Sequence, residues 1–249
     1  MIIDIPNKIN LIEIKETNQD DYLSLPAGEL LEAFGLGNHI PGSGSATAFS
    51  ALIAVELMKT VLKLSIKRSE YKSEKPQFEY ILNQLDTVYI PKLKLLFNND
   101  IQIFHQVSYN RRLRDNSEEN SKEKEEYNKV ALDKLKEATD IPIDICKTAM
   151  DLIQYSFRIF DNGFKSARGD SGVAISNLLS SAQGALFVVF LNLKTFSKSK
   201  WKDEKMQEAV ELAVQFTKIQ KDAFKRVVTL YNENSNDKQL TLDFYGGGL

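Results

Sequence analysis

The chain has 249 residues, 43% of them hydrophobic and 27% charged, with a formal net charge of −2. A balance so close to neutral gives no footing for nucleic acid or an anionic membrane as a partner. Two histidines, His39 and His105, are too few to build a histidine-rich metal centre and leave little for a Ser-His-Asp triad, so catalysis is expected to rest on carboxylates, hydroxyls and backbone groups.

Residues 1–25 read as an N-terminal arm, with Lys8 to Ile14 alternating enough for a short strand. Leu30 to Phe34 reads as a short helix ended by Gly35 and Gly37. The stretch Ile40-Pro41-Gly42-Ser43-Gly44-Ser45-Ala46 then feeds an apolar run as far as Ile66, with Ser45 expected as the helix N-cap. Gly42 and Gly44 leave backbone N–H groups open, which either serve a tight connection or, with the helix dipole, cradle an anion or a developing oxyanion. The bend has neither the Gly-Lys-Ser/Thr ending of a P-loop nor the G-x-G-x-x-G spacing. Within the helix Glu56, Lys59, Thr60, Lys63 and Lys67 form one narrow polar stripe, and they break the longest apolar runs, so no membrane span is expected.

Phe78, Ile81, Leu82, Leu85 and Val88 keep a helical period up to Pro91, which is expected to kink or break the helix. The next helix carries Leu93, Leu96, Phe97, Asp100, Ile103, Phe104 and Val107. Asp100 falls on the apolar stripe. Partial desolvation there raises its pKa and suits it to acid–base work, or it is a buried aspartate paired for structure. Arg111 to Lys124 is expected to be a solvated loop or helix end, with Arg111, Arg112 and Arg114 as surface.

Val130 to Ala138 gives another helix, and Asp140-Ile141-Pro142 is expected to start the next, which Gly163 ends. Cys146, on its apolar face, permits no internal disulfide, suits a reducing compartment and reads as a packed thiol. A second glycine bend, Phe164 to Ala174, holds Asp170 as a cap for a helix to Asn192, in which Ser176, Ser180 and Gly184 form a small-residue ridge. A last helix spans about Lys202 to Tyr231, with Met206, Val210, Ala213, Phe216, Ala223, Val227 and Leu230 inward. The tail, 233–249, alternates at Leu240, Leu242 and Phe244 and is either a strand or a peptide for a protein partner. The whole reads as an all-α bundle of about six to eight helices, with short strands allowed only at the termini, and as a cytoplasmic protein by default.

Taken in order, several segments resemble the cyclodeaminase/cyclohydrolase family. Pro41-Gly42-Ser43-Gly44-Ser45-Ala46 is similar to the family's Pro-Gly-Gly-Gly-Ser turn. Asp170-Ser171-Gly172-Val173-Ala174 is similar to its Asp-Ala-Gly-Val-Ala helix start, and Asn192-Leu193-Lys194 to the Asn-Leu-Lys run ending that helix. Asp100 and Phe104 stand at its mid-chain Asp and Phe, and Pro142 to Cys146 looks like its Pro-Leu-x-Val-Ala stretch. The resemblance covers about Leu30 to Phe224 and implies a helical domain over 26–232. It implies a homodimer or higher homo-oligomer with tetrahydrofolate, as substrate carrier, in a groove near the subunit interface. It further implies ammonia loss from 5-formiminotetrahydrofolate or hydrolysis of 5,10-methenyltetrahydrofolate, neither of which requires a metal.

On that resemblance Asp170 and Asp100 are the acid–base or orienting groups, and Pro41, Gly42, Ser43, Gly44, Ser45, Ser171 and Gly172 line the substrate. Lys63 and Lys67, which replace an asparagine and a glycine of the family, either suit the polyglutamate tail or carboxylates of a folate or are solvated surface lysines. Ser43, Ser166, Arg168 and Gly169 are further departures, and with the extra termini they motivate the alternative of an inactive oligomeric binding or assembly module. The enzyme reading requires the two glycine bends and both acids to enclose one cleft, within a chain or between protomers.

Overall fold

The computed structural model describes residues 22–234, and among these there is no strand. The chain runs through α1 (Ala27–Gly35), α2 (Ser43–Ile66), α3 (Lys75–Gln84), α4 (Ile90–Asn116), α5 (Lys122–Asn162), α6 (Arg168–Lys194) and α7 (Lys200–Asn234). The all-α bundle is as expected. Most of the arm, the tail and both expected terminal strands lie outside the described residues.

The bundle is organised on α2 and α6. Ala48, Ala51, Ala54, Val55, Met58 and Val61 of α2 are fully buried, as are Ala174, Leu178, Ala182, Ala185 and Val189 of α6. So many small side chains let the two axes come close. The pair is antiparallel: Thr47 lies against Gly184, where an added Cβ would come within 2.7 Å of the threonine methyl. Farther along, the Ser50 hydroxyl donates to the Asn177 carbonyl at 3.0 Å, and at the far end the Phe164 N–H donates to Ser65 Oγ at 2.9 Å. Helix α5 packs on α6 and α4, α4 also packs on α2, and α7 covers α5 and α6. Of the expected ridge only Gly184 makes such an approach; Ser176 and Ser180 face outward. Lys165–Lys194 is long and apolar enough to cross a membrane, contrary to the sequence expectation, but here that apolarity serves the α2 and α5 contacts.

Neither internal proline ends a helix. Before Pro91 the backbone widens into a π-turn over Leu85–Tyr89, closed by the Ile90 N–H donating to the Leu85 carbonyl. The extra residue carries the apolar stripe from Leu85 to Leu93 and rotates Val88 outward, where it is 45% exposed. Pro142 sits inside the continuous 41-residue α5 rather than at a helix start. Its missing N–H frees the Ala138 carbonyl, and the Asn192 side-chain amide from α6 donates to that carbonyl at 3.1 Å. Helix α7 buries Ala209, Leu212, Phe216 and Ala223, while Val210 and Val227 are about half exposed. Met206, Ala213 and Leu230 also pack against the core, so the expected inward face holds except at Val210 and Val227, which lie at its edge. Helix α4 continues to Asn116, so the charged stretch is a helix end, the second of the two expected forms, followed by the turn 117–121.

The Pro142–Asn192 pairing predicts a coupled loss. Asn192→Ala should cost about 1–3 kcal/mol by leaving a buried carbonyl unpartnered, and markedly less in a Pro142→Ala background, whose amide restores the helical bond. Urea unfolding of the two single variants, the double variant and the parent closes that cycle.

Candidate active site at the start of the second helix

Helix α2 begins three residues earlier than expected: extended Gly42, not Ser45, is its N-cap, and Ser45 stands at the third helical position. The Ser45 hydroxyl accepts the Gly42 N–H at 2.9 Å and donates to the Gly42 carbonyl at 3.0 Å. These two bonds close the bend. Pro41, Gly44 and Ser45 are buried, Gly42 is half-buried and Ser43 is exposed.

Asp100, from the middle of α4, presses on this helix start. Its Oδ2 accepts the Ser45 N–H at 2.6 Å. Its other oxygen occupies the space beside Gly44, where a Cβ would overlap the carboxylate; no residue but glycine lets α4 and α2 meet this way. Asp100 is only 7% exposed. Burial pushes its pKa up, the Ser45 contacts pull it down, and burial prevails, leaving it at about 6. The apolar-stripe reading of Asp100 is thus borne out in position and in direction. Of the three leading amides of α2, Ser45 N–H is taken by Asp100, whereas those of Ser43 and Gly44 have no partner among the described residues. A buried carboxyl with a pKa of about 6 therefore stands beside two open backbone donors at a positive helix end, an arrangement chemically able to move a proton and to stabilise developing negative charge.

The remaining expected site residues are elsewhere. Asp170 lies in the first turn of α6, which starts at Arg168 with no side-chain cap, so Asp170 complements the helix dipole rather than capping. Ser171 is buried, its hydroxyl donating to the Arg168 carbonyl at 3.2 Å, and Gly172 lies against the Phe160 ring. Because α2 and α6 are antiparallel and Gly184 is level with Thr47, Asp170 lies about 20 Å along the bundle from Asp100. Lys63 and Lys67 are exposed near the far end of α2, about 27 Å or more from Ser45 at helical rise. Within one chain the two glycine bends do not converge.

The arginine triplet is not plain surface, as the sequence suggested. Arg114 donates to Asp115 at 2.8 Å and to Asn128 at 3.2 Å. Arg111 is half-buried and faces a cleft of about 400 Å³ together with His39 and Phe104. Its helical spacing from Asp100 through Phe104 and Ser108 would have found it, since residues four, four and three apart share one helix face. Cys146 is a buried thiol whose pKa burial pushes up to about 12, as a packed cysteine requires. Among the described residues no three His, Cys, Asp or Glu side chains gather as a metal site.

Comparison with known proteins places this geometry. The family described as formiminotransferase-cyclodeaminase matches residues 26–211. A methenyltetrahydrofolate cyclohydrolase from Methylorubrum extorquens is 23% identical over 212 residues, covering 84% of this chain and 100% of the relative. The crystal structure of a formiminotetrahydrofolate cyclodeaminase from Thermotoga maritima has the same fold, with a TM-score of 0.71 at 20% identity over 84% of this chain and 98% of that one. The Gly42–Ser45 helix start and the bundle that carries it thus sit inside a match spanning most of the sequence, and the chain belongs to the formiminotransferase-cyclodeaminase family.

Proposed function

We propose that this protein is a folate one-carbon enzyme acting at the carbon carried between the two folate nitrogens. It either cyclises 5-formiminotetrahydrofolate with loss of ammonia or opens 5,10-methenyltetrahydrofolate with water. The observation that carries the reading is Asp100, a buried carboxyl with a pKa of about 6, held at the open amides of α2. In cyclodeamination the second folate nitrogen attacks the protonated formimino carbon and becomes positively charged. Asp100 as carboxylate takes the proton from that nitrogen and returns it to the amino group, whose bond to carbon then breaks to release ammonia and leave the methenyl bridge. Hydrolysis passes through the same tetrahedral carbon with water as nucleophile and a ring nitrogen as leaving group. A group titrating near neutrality serves both proton transfers.

Asp170 joins this site from a neighbouring copy in a homo-oligomer. The separation of the two acids along one chain supports this, as does the outward apolar surface near them: Val173, Phe187 and Leu191 of α6 and Ile53 of α2 are 42–66% exposed.

Purified protein should turn over one of the two folates, and Asp100→Asn and Asp170→Asn should each reduce turnover by at least about a hundredfold. Mixing the two inactive variants under subunit exchange should then recover roughly a quarter of the parent rate, since half of the dimers are mixed and each mixed dimer holds one intact site. No turnover by the parent would instead favour the inactive assembly module; no recovery on mixing would place both acids outside a shared site.

The same carboxyl predicts a pH effect on stability. Its folded pKa of about 6 lies above the ordinary 3.8, so the folded state holds the proton where the unfolded state has lost it. This site's contribution therefore falls as pH rises through that window. The stability of Asp100→Asn relative to the parent should increase between pH about 4 and 7, by at most on the order of 3 kcal/mol. Denaturant melts across that range read the difference directly.

A further inference from the structure

The cleft beside the site has a built-in polarity. Asp100, Phe104, Ser108 and Arg111 lie four, four and three residues apart on α4 and so share one face. The last three line the cleft, with His39 on the opposite wall, where its ring meets Phe104 edge-on at 6.5 Å. His39 is three residues before Gly42, so the chain that forms one wall of the cleft leads directly into the α2 helix start. From Asp100 to Arg111 the rise along α4 is about 16 Å. That is the reach of an extended pteridine–aminobenzoyl–glutamate, in the order carboxyl, aromatic ring, guanidinium.

Arg111 is the unusual member. It is half-buried, and among the described residues it forms no ion pair or hydrogen bond. Burial and the neighbouring Arg114 push its pKa down, and the opposing pull of Asp115 is the smallest of the three effects. The nearby carboxylate, Asp115, is engaged by Arg114 and is held low by it. Arg112 also lines the cleft and lies over the Tyr109 ring at 5.6 Å. Two arginines, Ser108 and Asn116 thus face a cleft of about 400 Å³ with only one acid, already paired. A guanidinium in this state binds a carboxylate through two parallel N–H donors.

We propose that the Arg111 cleft binds the carboxylates of the glutamyl end of a reduced folate whose pterin end sits at Asp100. This rests on the folate reading of the α2 site and assigns to α4 the role the sequence suggested for Lys63 and Lys67, which lie at the other end of α2.

The test compares 5-formyltetrahydrofolate with 5-formyltetrahydropteroate, which lacks the glutamate, by titration calorimetry on the full chain. The parent should bind the folate roughly tenfold to a hundredfold more tightly than the pteroate. Arg111→Ala should bring the folate down to the pteroate level and leave pteroate binding unchanged. Arg111→Lys, which keeps the charge but loses the fork, should fall between them. The proposal is overturned if the parent binds both ligands alike, if Arg111→Ala leaves folate affinity intact, or if it weakens both ligands equally. A parent that binds neither ligand removes the folate reading itself, and this assignment with it.

Discussion

The contact of Asp100 with the first turn of α2 decides the rest. A carboxylate on the apolar stripe of α4 and an unpaired amide at a buried helix start are each costly alone. Placed together at Gly44, each supplies what the other lacks: the Ser45 N–H gains an acceptor and the carboxylate gains a donor at 2.6 Å. The absence of a side chain at Gly44 is what permits the approach. One bond does not neutralise the burial, however, and the acid stays near neutrality rather than falling to the usual carboxylate range. The raised pKa of Asp100 is therefore a by-product of how two helices are joined.

The antiparallel pairing of α2 and α6 is the second constraint. It supplies the inner core through small side chains and gives both helices open starts. It also places those starts at opposite ends of the bundle, because antiparallel helices cannot bring both N-termini together. Any chemistry using both Asp100 and Asp170 must then recruit a second copy, and the exposed apolar residues of α6 lie along the helix that such a copy would need to cover.

Much of this was legible in the residues. The period of three and four placed Asp100 inside and predicted its raised pKa, and the glycine bend marked the start of α2 to within three residues. Helix ends at proline were not legible, because each proline is compensated by something distant in sequence. The π-turn before Pro91 absorbs a residue of register, and Asn192 on α6 meets the carbonyl that Pro142 leaves free. A local rule sees the missing donor but not the replacement. The arginines failed for a related reason: a charge-rich segment reads as solvated until the partner wall, here His39, is known.

The face of α4 that carries Asp100 and Arg111 is also why one helix can serve as a ruler for a ligand. Residues on a continuous helix keep fixed spacing, and α4 is unbroken from Ile90 to Asn116. The two ends differ in the charge they accept. Near Asp100 the surroundings favour a group that exchanges protons, whereas near Arg111 they favour a fixed anion. A ligand turned end for end would put its carboxylates against a buried acid and leave Arg111 without a counter-charge, both unfavourable in a partly desolvated cleft. Orientation would thus be set by electrostatics before any close contact of the reacting carbon. In the proposed reaction the geometry of approach would then be imposed three turns away from Asp100, leaving only the proton transfers to the acids at the reacting carbon.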